Sequence, residues 1–509
     1  MSAPLDISED GRCLLGGQTL HPAGDPLQSA KEDLKELLQG AGPDDLLVLA
    51  GSGLGWHARA VLESQGKPQA VIYEPEARRL AMMRSLGPSL PGLTIAETRE
   101  QLVDFLGKRM VYGRLSRVAV YAPHAYRQMA PEVVSTAKEL VSQTLSRGQV
   151  DKNTRQLKGG LWRQNLAVNF RQILNLPELT LLAGALAGVP AVIVGAGPSL
   201  DQSLPHLRGV RERSLVMAAA SGLGPLSGVE LAPHLALALE GKDESRQFQG
   251  ADMAKTILAA STSGHPNHFE LWPGVKGLFH LDPWVAALAG AGQALPNGGH
   301  ATSAAFSLAV LWGCDPIILV GQDLAYTKGR IHAQGRPGGE DEQRPPQVSV
   351  PAIGGGEAQT SEVMLSYIGW YQEAAAFMKK RFPRTRIINA TQAGALLSGF
   401  EHEPLPEALV NLPSLGDGLE SLSQAVTRIP TPRPGPVLQR LAQARVRLRA
   451  ALADIPAMGL EAVVKRAPSD SALAAALADL PAEAGPAQAE NAVKHMLETI
   501  REMAEGLYA

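Results

Sequence analysis

The sequence has 509 residues, of which 45% are hydrophobic and 19% charged, with a formal net charge of −3. A chain of this length exceeds what one hydrophobic core supports, so we expect about two to four domains. The small net charge argues against a general nucleic-acid-binding or membrane surface, and the presence of only Cys13 and Cys314 argues against a disulfide scaffold or a multi-cysteine zinc site.

The beginning of the chain, MSAPLDISEDGRCLL, lacks the basic and then apolar order of a secretory signal. The most apolar stretch, residues 179–197, is interrupted by Pro190 and by several glycines, so it is too short and too broken for a transmembrane helix. With few cysteines and no such segment, we expect a cytoplasmic protein without a membrane span and without a nucleic-acid partner.

From Asp44 the pattern is strand, glycine turn, helix and strand, which predicts a small Rossmann-like domain over residues 1–125. The turn Gly51–Gly55 is followed about twenty residues later by Glu74, the layout in which such units bind a nucleotide and its ribose hydroxyls. S-adenosylmethionine-dependent enzymes use a similar layout. A lone glycine turn also occurs in domains that bind nothing, and both interpretations stay open.

Residues 126–178 are predicted to form a helical connector, in which Asn165 and Asn169 lie four residues apart on one helix face. The next region, residues 179–402, alternates helical segments with short apolar runs that are typical of parallel strands covered on both faces. These runs are AVIVGAG, SLVMAAAS, LALALE, TILAAST, GLFHLD, PIILVGQD and RIINAT. We therefore predict a doubly wound α/β domain whose ligand lies beyond the carboxyl ends of the strands.

Two further segments stand out by composition. Residues 333–360 are rich in Gly, Pro and charge, which favours a mobile lid. After a proline-rich linker, residues 403–509 are predicted to form a helical domain. Its helices present two apolar series, Leu438, Leu441, Leu448, Leu452 and Ile455, and then Val493, Met496, Leu497, Ile500 and Met503.

The stretch AVIVGAGPSLDQSL, residues 191–204, carries the most specific local signal. Gly195 and Gly197 allow a sharp bend and a close approach of the backbone, Pro198 sets φ, and Ser199 can cap the following helix. Amides at such a helix start suit a phosphate, although a tight turn without ligand fits the spacing equally well. No P-loop is present, because the motif lacks the Gly-Lys-Ser/Thr ending.

The ordered set VGAGPSLD, LALALEGKD, NGGHATSAAFSLAVLWGCDPIILVGQDLAY and RIINATQAGALLSGF resembles the motility-associated factor (Maf) family of flagellin glycosyltransferases. The similarity runs from Trp162 to Phe400 and extends to the amino-terminal glycine turn. The first and third motifs also resemble bacterial small sialyltransferases. The Gly-Pro-Ser turn and the GQD strand end resemble archaeal 6-hydroxymethyl-dihydropterin pyrophosphokinases.

The Maf resemblance implies transfer of a nonulosonic acid, of pseudaminic or legionaminic type, from a CMP-activated donor to Ser or Thr of flagellin. Either the helical tail or the face of the amino-terminal domain is expected to hold the flagellin, and the sequence leaves both open. No cofactor and no metal ion are required in that reaction. From their positions at or beyond strand ends, the candidates for catalysis are His332, Asp323 and Glu240. The implied substrate-binding residues are Gly195, Gly197, Pro198, Ser199, Ser221, Thr302, Ser303, Gln322 and Tyr326.

Several of these roles have competing interpretations. His332 is the preferred general base, because an ordinary imidazole pKa suits proton transfer near neutral pH, and His300 is its rival. Tyr326 is offset by one residue from the phosphate-binding tyrosine of sialyltransferases, so Lys328 or Arg330 could replace it. Thr302, Ser303 and Asp323 also fit simple helix caps. A pterin pyrophosphokinase, which needs ATP, a divalent ion and clustered carboxylates, and a non-catalytic flagellin-binding module are the alternative functions.

Overall fold

The computed structural model describes residues 3–10, 12–22, 24–112, 117–337, 348–410, 412–415, 422–458 and 486–507. The described residues form two compact units: those up to Lys152 belong to unit 1, and those from Asn153 onward belong to unit 2. Within these ranges no helix combines the length and the apolar character needed to cross a membrane.

Unit 1 contains a three-stranded antiparallel sheet and a four-stranded parallel sheet. The strands of the first are β1 (Leu5–Ile7), β2 (Cys13–Leu15) and β3 (Gln18–His21). The parallel sheet has the order β6-β5-β4-β7 and consists of β4 (Asp45–Ala50), β5 (Gln69–Tyr73), β6 (Thr94–Ala96) and β7 (Arg117–Tyr121). The helices are α1 (Pro26–Asp33), α2 (Lys35–Leu38), α3 (Trp56–Leu62), α4 (Ala77–Leu86), α5 (Arg99–Tyr112), α6 (His124–Met129) and α7 (Pro131–Asn169), the last of which continues into unit 2.

Unit 2 is built on an eight-stranded parallel sheet with the order β12-β11-β10-β9-β8-β13-β16-β17. Its strands are β8 (Ala191–Val194), β9 (Leu215–Ala219), β10 (Leu235–Ala238), β11 (Ile257–Ser261), β12 (Lys276–Phe279), β13 (Ile317–Val320), β16 (Ile387–Asn389) and β17 (Glu401–His402). A separate antiparallel pair is formed by β14 (Val348–Pro351) and β15 (Glu357–Thr360). All seven strands that the apolar runs predict are present.

The helices of unit 2 flank this sheet and form the carboxyl-terminal part of the described chain. They are α8 (Leu200–Ser203), α9 (Leu223–Ser227), α10 (Asn267–Glu270), α11 (Pro283–Ala289), α12 (Ala301–Trp312), α13 (Glu362–Arg381), α14 (Leu405–Val410), α15 (Leu422–Thr427), α16 (Pro434–Met458) and α17 (Pro486–Gly506). Helix α12 is apolar on most of its surface and packs against β8, β9 and β10, so it is a core helix. It ends at Gly313, whose φ of +84° is a left-handed conformation that favours glycine.

The strand order reverses next to β8. The chain passes outward from β8 through β9, β10 and β11 to β12, and then returns through α12 to β13 on the opposite side of β8. In open parallel sheets, such a reversal leaves a crevice at the carboxyl ends of the two strands, where ligands bind. The predicted doubly wound α/β class is therefore confirmed, and the crevice lies between the ends of β8 and β13.

Two predictions about the remaining segments need correction. The expectation that residues 348–360 form a long loop without strands is wrong, because these residues pair as β14 and β15; Thr360 is buried, and its hydroxyl donates to Leu324 O at 2.7 Å. That this segment is a mobile lid stays a prediction. Residues 338–347 of the predicted lid lie outside the described residues. On α16, the buried stripe includes Val437, Leu441 and Leu448, whereas the predicted Leu438 and Leu452 are half-buried and the side chain of Ile455 is not described.

The last helix follows its prediction more closely. On α17, Val493, Met496, Ile500 and Met503 are buried and Leu497 is half-buried, and this helix packs against α16. The predicted domain boundaries, 1–125, 126–178, 179–402 and 403–509, stay predictions.

Candidate active site at the carboxyl edge of the sheet

The glycine turn after β8 lies directly against the turn after β13. The Gly195 N–H donates to Val320 O and the Gly197 N–H donates to Gly321 O, both at 2.8 Å. A Cβ at Gly195 would lie 2.6 Å from Gly321 O, and a Cβ at Gly197 would overlap the Asp323 carboxylate. The two glycines are therefore required because two main-chain segments approach each other here, which places this contact at the predicted crevice.

Asp323 ties the two turns together. Its carboxylate, 1% exposed, accepts hydrogen bonds from Ser199 N–H at 3.1 Å, Ser199 Oγ at 2.6 Å and Thr327 Oγ1 at 2.7 Å. Burial raises the pKa of Asp323 above its ordinary value, against the opposite effect of the hydrogen bonds from Ser199 and Thr327. In this arrangement Asp323 positions the turn.

The groups that were expected to hold a phosphate already donate hydrogen bonds within the protein. The amides of Gly195, Gly197 and Ser199, and the Ser199 hydroxyl, already donate to acceptors within the protein. A phosphate that used them would have to displace those acceptors. Pro198 precedes the buried Ser199. Because proline has no N–H, the turn has one donor fewer at this position.

Residues 327–337, which we call the strap, follow the turn after β13 and lead back to the glycine turn. Arg330 Nη2 forms an ion pair with Asp201 Oδ2 at 2.8 Å, and the Gln334 N–H donates to the other oxygen of Asp201 at 2.9 Å. The Ala333 N–H donates to Ala196 O at 2.8 Å, in the middle of the turn. The strap therefore lies against the turn, and Arg330, one predicted substitute for the phosphate-binding tyrosine, is held by Asp201.

His332 is carried by the strap. Arg336 Nη1 lies 3.1 Å from His332 Nδ1, and because a guanidinium can only donate, Nδ1 accepts and the proton of a neutral imidazole lies on Nε2. A general base must accept a proton on a nitrogen that faces its substrate. For His332 to do so through Nε2, Arg336 would have to release Nδ1.

A second polar group lies at the start of α12. The Tyr371 hydroxyl donates to Thr302 Oγ1 at 3.2 Å and lies 3.5 Å from Gln322 Oε1, while Thr302 Oγ1 is 2.9 Å from His300 Nδ1. Ser303 does not cap α12, because the N-cap residue is His300; its hydroxyl instead donates to His300 O at 2.6 Å and accepts from the Gly298 N–H at 2.8 Å. The chain thus brings Thr302, Gln322 and His300 together through Tyr371.

Tyr371 was not predicted from the sequence. It lies on the buried face of α13, where a tyrosine cannot be distinguished from an ordinary core aromatic by its spacing. Burial raises the pKa of Tyr371, so its hydroxyl stays protonated, and burial lowers the pKa of His300 to about 3. A base with so low a pKa accepts a proton poorly at neutral pH, which disfavours His300 as the general base.

The remaining predicted residues lie along the same edge of the sheet. Glu240 follows β10, is exposed, and pairs with Lys158 at 3.7 Å. Three strand spacings separate β10 from β13, about 14 Å, so Glu240 does not lie beside Asp323. Ser221 is half-buried in the turn after β9, and the Tyr326 hydroxyl is buried without a hydrogen-bond partner among the described residues.

The end of α7 holds two loops of this edge. Asn165 Nδ2 donates to Gly241 O at 2.8 Å and to Ser263 O at 3.3 Å. Asn169 Nδ2 donates to the carbonyls of the loop after β11 at 2.7 and 3.0 Å. The prediction that the two asparagines share one helix face is confirmed, and their role is to position the loops after β10 and β11. Within the described ranges, no group of three or more His, Cys, Asp or Glu residues is disposed to hold a metal ion.

The fold and the crevice define unit 2 as an open parallel α/β protein with a candidate ligand site at a strand reversal. A family model described as 6-hydroxymethylpterin diphosphokinase MptE-like matches residues 164–329, about a third of the chain. Among solved structures, the chain is similar to the MAf glycosyltransferase from Magnetospirillum magneticum AMB-1, with a TM-score of 0.53 and 15% identity over 100% of this chain and 91% of that one. Comparison with curated protein sequences finds no match.

At this identity, the structural likeness shows a shared fold. The resemblances drawn from the sequence motifs, to the Maf family and to the pterin diphosphokinases, are both confirmed as resemblances by these two comparisons.

Proposed function

We propose that this protein is a glycosyltransferase that moves a nonulosonic acid, of pseudaminic or legionaminic type, from its CMP-activated donor to Ser or Thr of flagellin, as flagellum assembly and motility require. The observation that carries the proposal is the likeness in fold to a Maf glycosyltransferase over the whole chain. The motifs that suggested this activity lie at the two turns and at the start of α12, on the edge of the sheet where ligands bind in such folds.

The chemistry sets two demands on the site. Departure of CMP leaves an oxocarbenium-like sugar and a phosphate anion, so one group of residues must stabilise the leaving phosphate. In this proposal Arg330 and Lys328 of the strap supply positive charge for it, and the twelve-residue helix α12 directs its amino terminus and Thr302 toward the negative groups of the donor.

The second demand is removal of the proton from the acceptor hydroxyl. His332 takes this role, with Nε2 becoming available once Arg336 no longer donates to Nδ1. Because Arg336 and His332 both belong to the strap, a rearrangement of the strap on donor binding would switch His332 into a base. Asp323 keeps the turn and the first residues of the strap in place during this change.

The direct test is to incubate the protein with flagellin and either CMP-pseudaminic or CMP-legionaminic acid and to weigh intact flagellin. We expect a mass increase of one or more sugar residues with one donor. Arg330→Gln should reduce the rate strongly, whereas Arg208→Gln, which changes an exposed arginine of the same unit, should leave it unchanged. If correctly folded flagellin keeps its mass with both donors, the proposal is contradicted.

A second candidate, a 6-hydroxymethyl-dihydropterin pyrophosphokinase, is favoured by the family model that matches residues 164–329. Its metal-dependent chemistry needs clustered carboxylates, for which the sequence offers Asp323, Glu240 and Asp243. Asp323 is engaged by Ser199 and Thr327, and Glu240 lies about three strand spacings from it, so we rank this function second. Pterin-dependent formation of AMP from ATP and Mg²⁺ would reverse the order.

The third candidate is a flagellin-binding module without catalysis. A module that only binds protein has no reason to bind a nucleotide, so calorimetry with CMP separates it from the transferase. We expect CMP to bind, and Gly195→Val to abolish that binding, because a branched side chain at this position would collide with the Gly321 carbonyl. Retention of CMP affinity in Gly195→Val would remove the turn from the donor site.

A further inference from the structure

The glycine turn of unit 1, Gly51–Gly55, lies at a strand reversal of its own. The order β6-β5-β4-β7 places β5 and β6 on one side of β4 and β7 on the other, so the crevice of this sheet is at the carboxyl ends of β4 and β7. Glu74 directly follows β5, where nucleotide-binding units of this kind place the acid that binds a ribose hydroxyl. The turn and the acid therefore form the frame of a hydroxyl-binding site.

A side chain of the protein itself occupies this frame. The Tyr126 hydroxyl accepts a hydrogen bond from the Gly53 N–H at 3.1 Å and donates to Glu74 Oε2 at 2.6 Å. Its ring lies against Gly51, where a Cβ would overlap the ring carbons and where φ is +104°. Tyr126 is 0% exposed, so the ring fills the space in front of the turn.

Both carboxylate oxygens of Glu74 accept hydrogen bonds from residues of unit 1. Besides Tyr126, Glu74 Oε2 accepts from Ser52 N–H at 3.2 Å and Ser52 Oγ at 3.3 Å. Its other oxygen accepts from Glu76 N–H at 3.1 Å and from Arg79 Nη1 at 3.4 Å. The Arg79 guanidinium also lies 5.5 Å from the centre of the Tyr126 ring. The ring is thus held by a cation as well as by its hydroxyl.

The hydrogen bonds of the Tyr126 hydroxyl distinguish this residue from an ordinary aromatic residue of the core. A phenylalanine would fill the same apolar volume but would leave the Gly53 N–H and one lone pair of Glu74 without a partner. The tyrosine hydroxyl instead takes a donor from the glycine turn and an acceptor from the acid, the two contacts that this frame offers to a hydroxyl-bearing ligand. Burial, followed by the charge of Glu74, raises the pKa of Tyr126, so the phenol stays protonated and able to donate.

We propose that unit 1 contains a hydroxyl-binding site for a ring-bearing ligand and that Tyr126 is its built-in ligand. In the native protein the site is closed to nucleosides, including adenosine and S-adenosylmethionine. Removal of the side chain leaves a cavity with the same polar contacts, which accepts a free phenol. This inference concerns unit 1 only and does not depend on the function proposed for unit 2.

The test uses the full chain carrying Tyr126→Ala, with p-cresol and toluene as probes in calorimetry and thermal unfolding. We expect p-cresol to bind the variant and raise its Tm, toluene to bind at least about tenfold more weakly because it lacks the hydroxyl, and neither to bind the native protein. In Tyr126→Ala combined with Glu74→Gln, the preference for p-cresol should shrink. A folded Tyr126→Ala that binds both probes equally, or neither, overturns the proposal.

Two further measurements keep the proposal falsifiable if Tyr126→Ala does not fold. Tyr126→Phe retains the ring, and the Gly53 amide should exchange with solvent about tenfold faster in it than in the native protein, because its acceptor is gone. Unchanged exchange at Gly53 would contradict the assigned contact. Adenosine and S-adenosylmethionine should not bind the native protein at unit 1, and binding of either that Glu74→Gln abolishes would refute a closed site.

Discussion

Replacement of Glu178 by glutamine should remove a pH dependence from the stability of unit 2. Glu178 is 3% exposed and lies beside Thr180, whose N–H and hydroxyl both donate to its carboxylate. Burial is the largest effect on this group and raises the pKa of Glu178 from 4.5 to about 7, against the opposite effect of the bonds from Thr180. At pH 8 the folded protein therefore holds a buried carboxylate whose charge is not favoured.

The direction and size of this pH dependence follow from the linkage between proton binding and folding. Because the folded-state pKa is the higher one, the contribution of Glu178 to stability is complete below pH 4.5 and is lost as the pH rises through about 7. The full difference corresponds to about 3 kcal/mol, at about 1.4 kcal/mol per pKa unit. Between pH 5 and pH 8 the native protein should lose about 2.5 kcal/mol relative to Glu178→Gln, whose amide does not ionise.

The comparison with the variant is essential because buried histidines act in the opposite direction. Burial lowers the pKa of His234 to about 3 and that of His280 to about 4, so both destabilise the fold as the pH falls below the ordinary histidine value. These contributions are common to both proteins and cancel in the difference.

Urea unfolding followed by tryptophan fluorescence at pH 5, 6, 7 and 8 measures that difference. Five of the six tryptophans belong to unit 2, so the signal reports mainly on the unit that contains Glu178. Glu407→Gln, at an exposed glutamate, should track the native protein at every pH. A difference between native and Glu178→Gln that stays constant within about 0.5 kcal/mol from pH 5 to pH 8 would refute the reasoning.

Three predictions concern the crevice of unit 2. Asp323→Asn replaces one carboxylate acceptor by a donor and should lower the free energy of unfolding by about 2 kcal/mol, together with a loss of sugar transfer, both measurable on the purified protein. Gly197→Ala places a methyl group on that carboxylate and should cost about 1–3 kcal/mol, whereas Gly369→Ala, which meets no atom within 4 Å, should be neutral or slightly stabilising in urea unfolding. Asp201→Asn weakens a partly exposed ion pair with Arg330 and should change stability by less than about 1 kcal/mol, yet speed hydrogen exchange in the strap; unchanged exchange would show that this ion pair does not hold the strap against the turn.

Much of the fold of unit 2 could be predicted because its strands are short apolar runs separated by helical segments. Such runs are typical of parallel strands, and each of the seven became one. The strands that were missed have another character. The hairpin of β2 and β3 turns at Gly16 and Gly17, a dipeptide that does signal a tight turn, but its strands are only three and four residues long. Around β14 and β15, the many glycines and prolines obscured a weak alternation of apolar and polar residues.

The positions of the candidate site could be predicted better than its contacts. The two turns and the start of α12 are marked by residue types, and the strand reversal between β8 and β13 brings the two turns together. What a side chain touches depends on elements distant in sequence: Asp323 meets Ser199 across 124 residues, and Tyr371 meets Thr302 across 69. A tyrosine on an apolar helix face has the same spacing whether it packs in a core or completes a polar network.

The two glycine turns share one arrangement, which bears on how such motifs are interpreted. In unit 1 the main-chain N–H and the hydroxyl of Ser52 both donate to Glu74, and in unit 2 the same two groups of Ser199 donate to Asp323. In each unit, an acid that its motif assigned to substrate or ligand chemistry instead holds the turn in place. A buried carboxylate that accepts three or more hydrogen bonds within the protein has little capacity left for a ligand. If the proposed transfer takes place in this crevice, we expect the substrate to meet groups around the turn, on the strap and at the start of α12, with the turn as the rigid support that positions them.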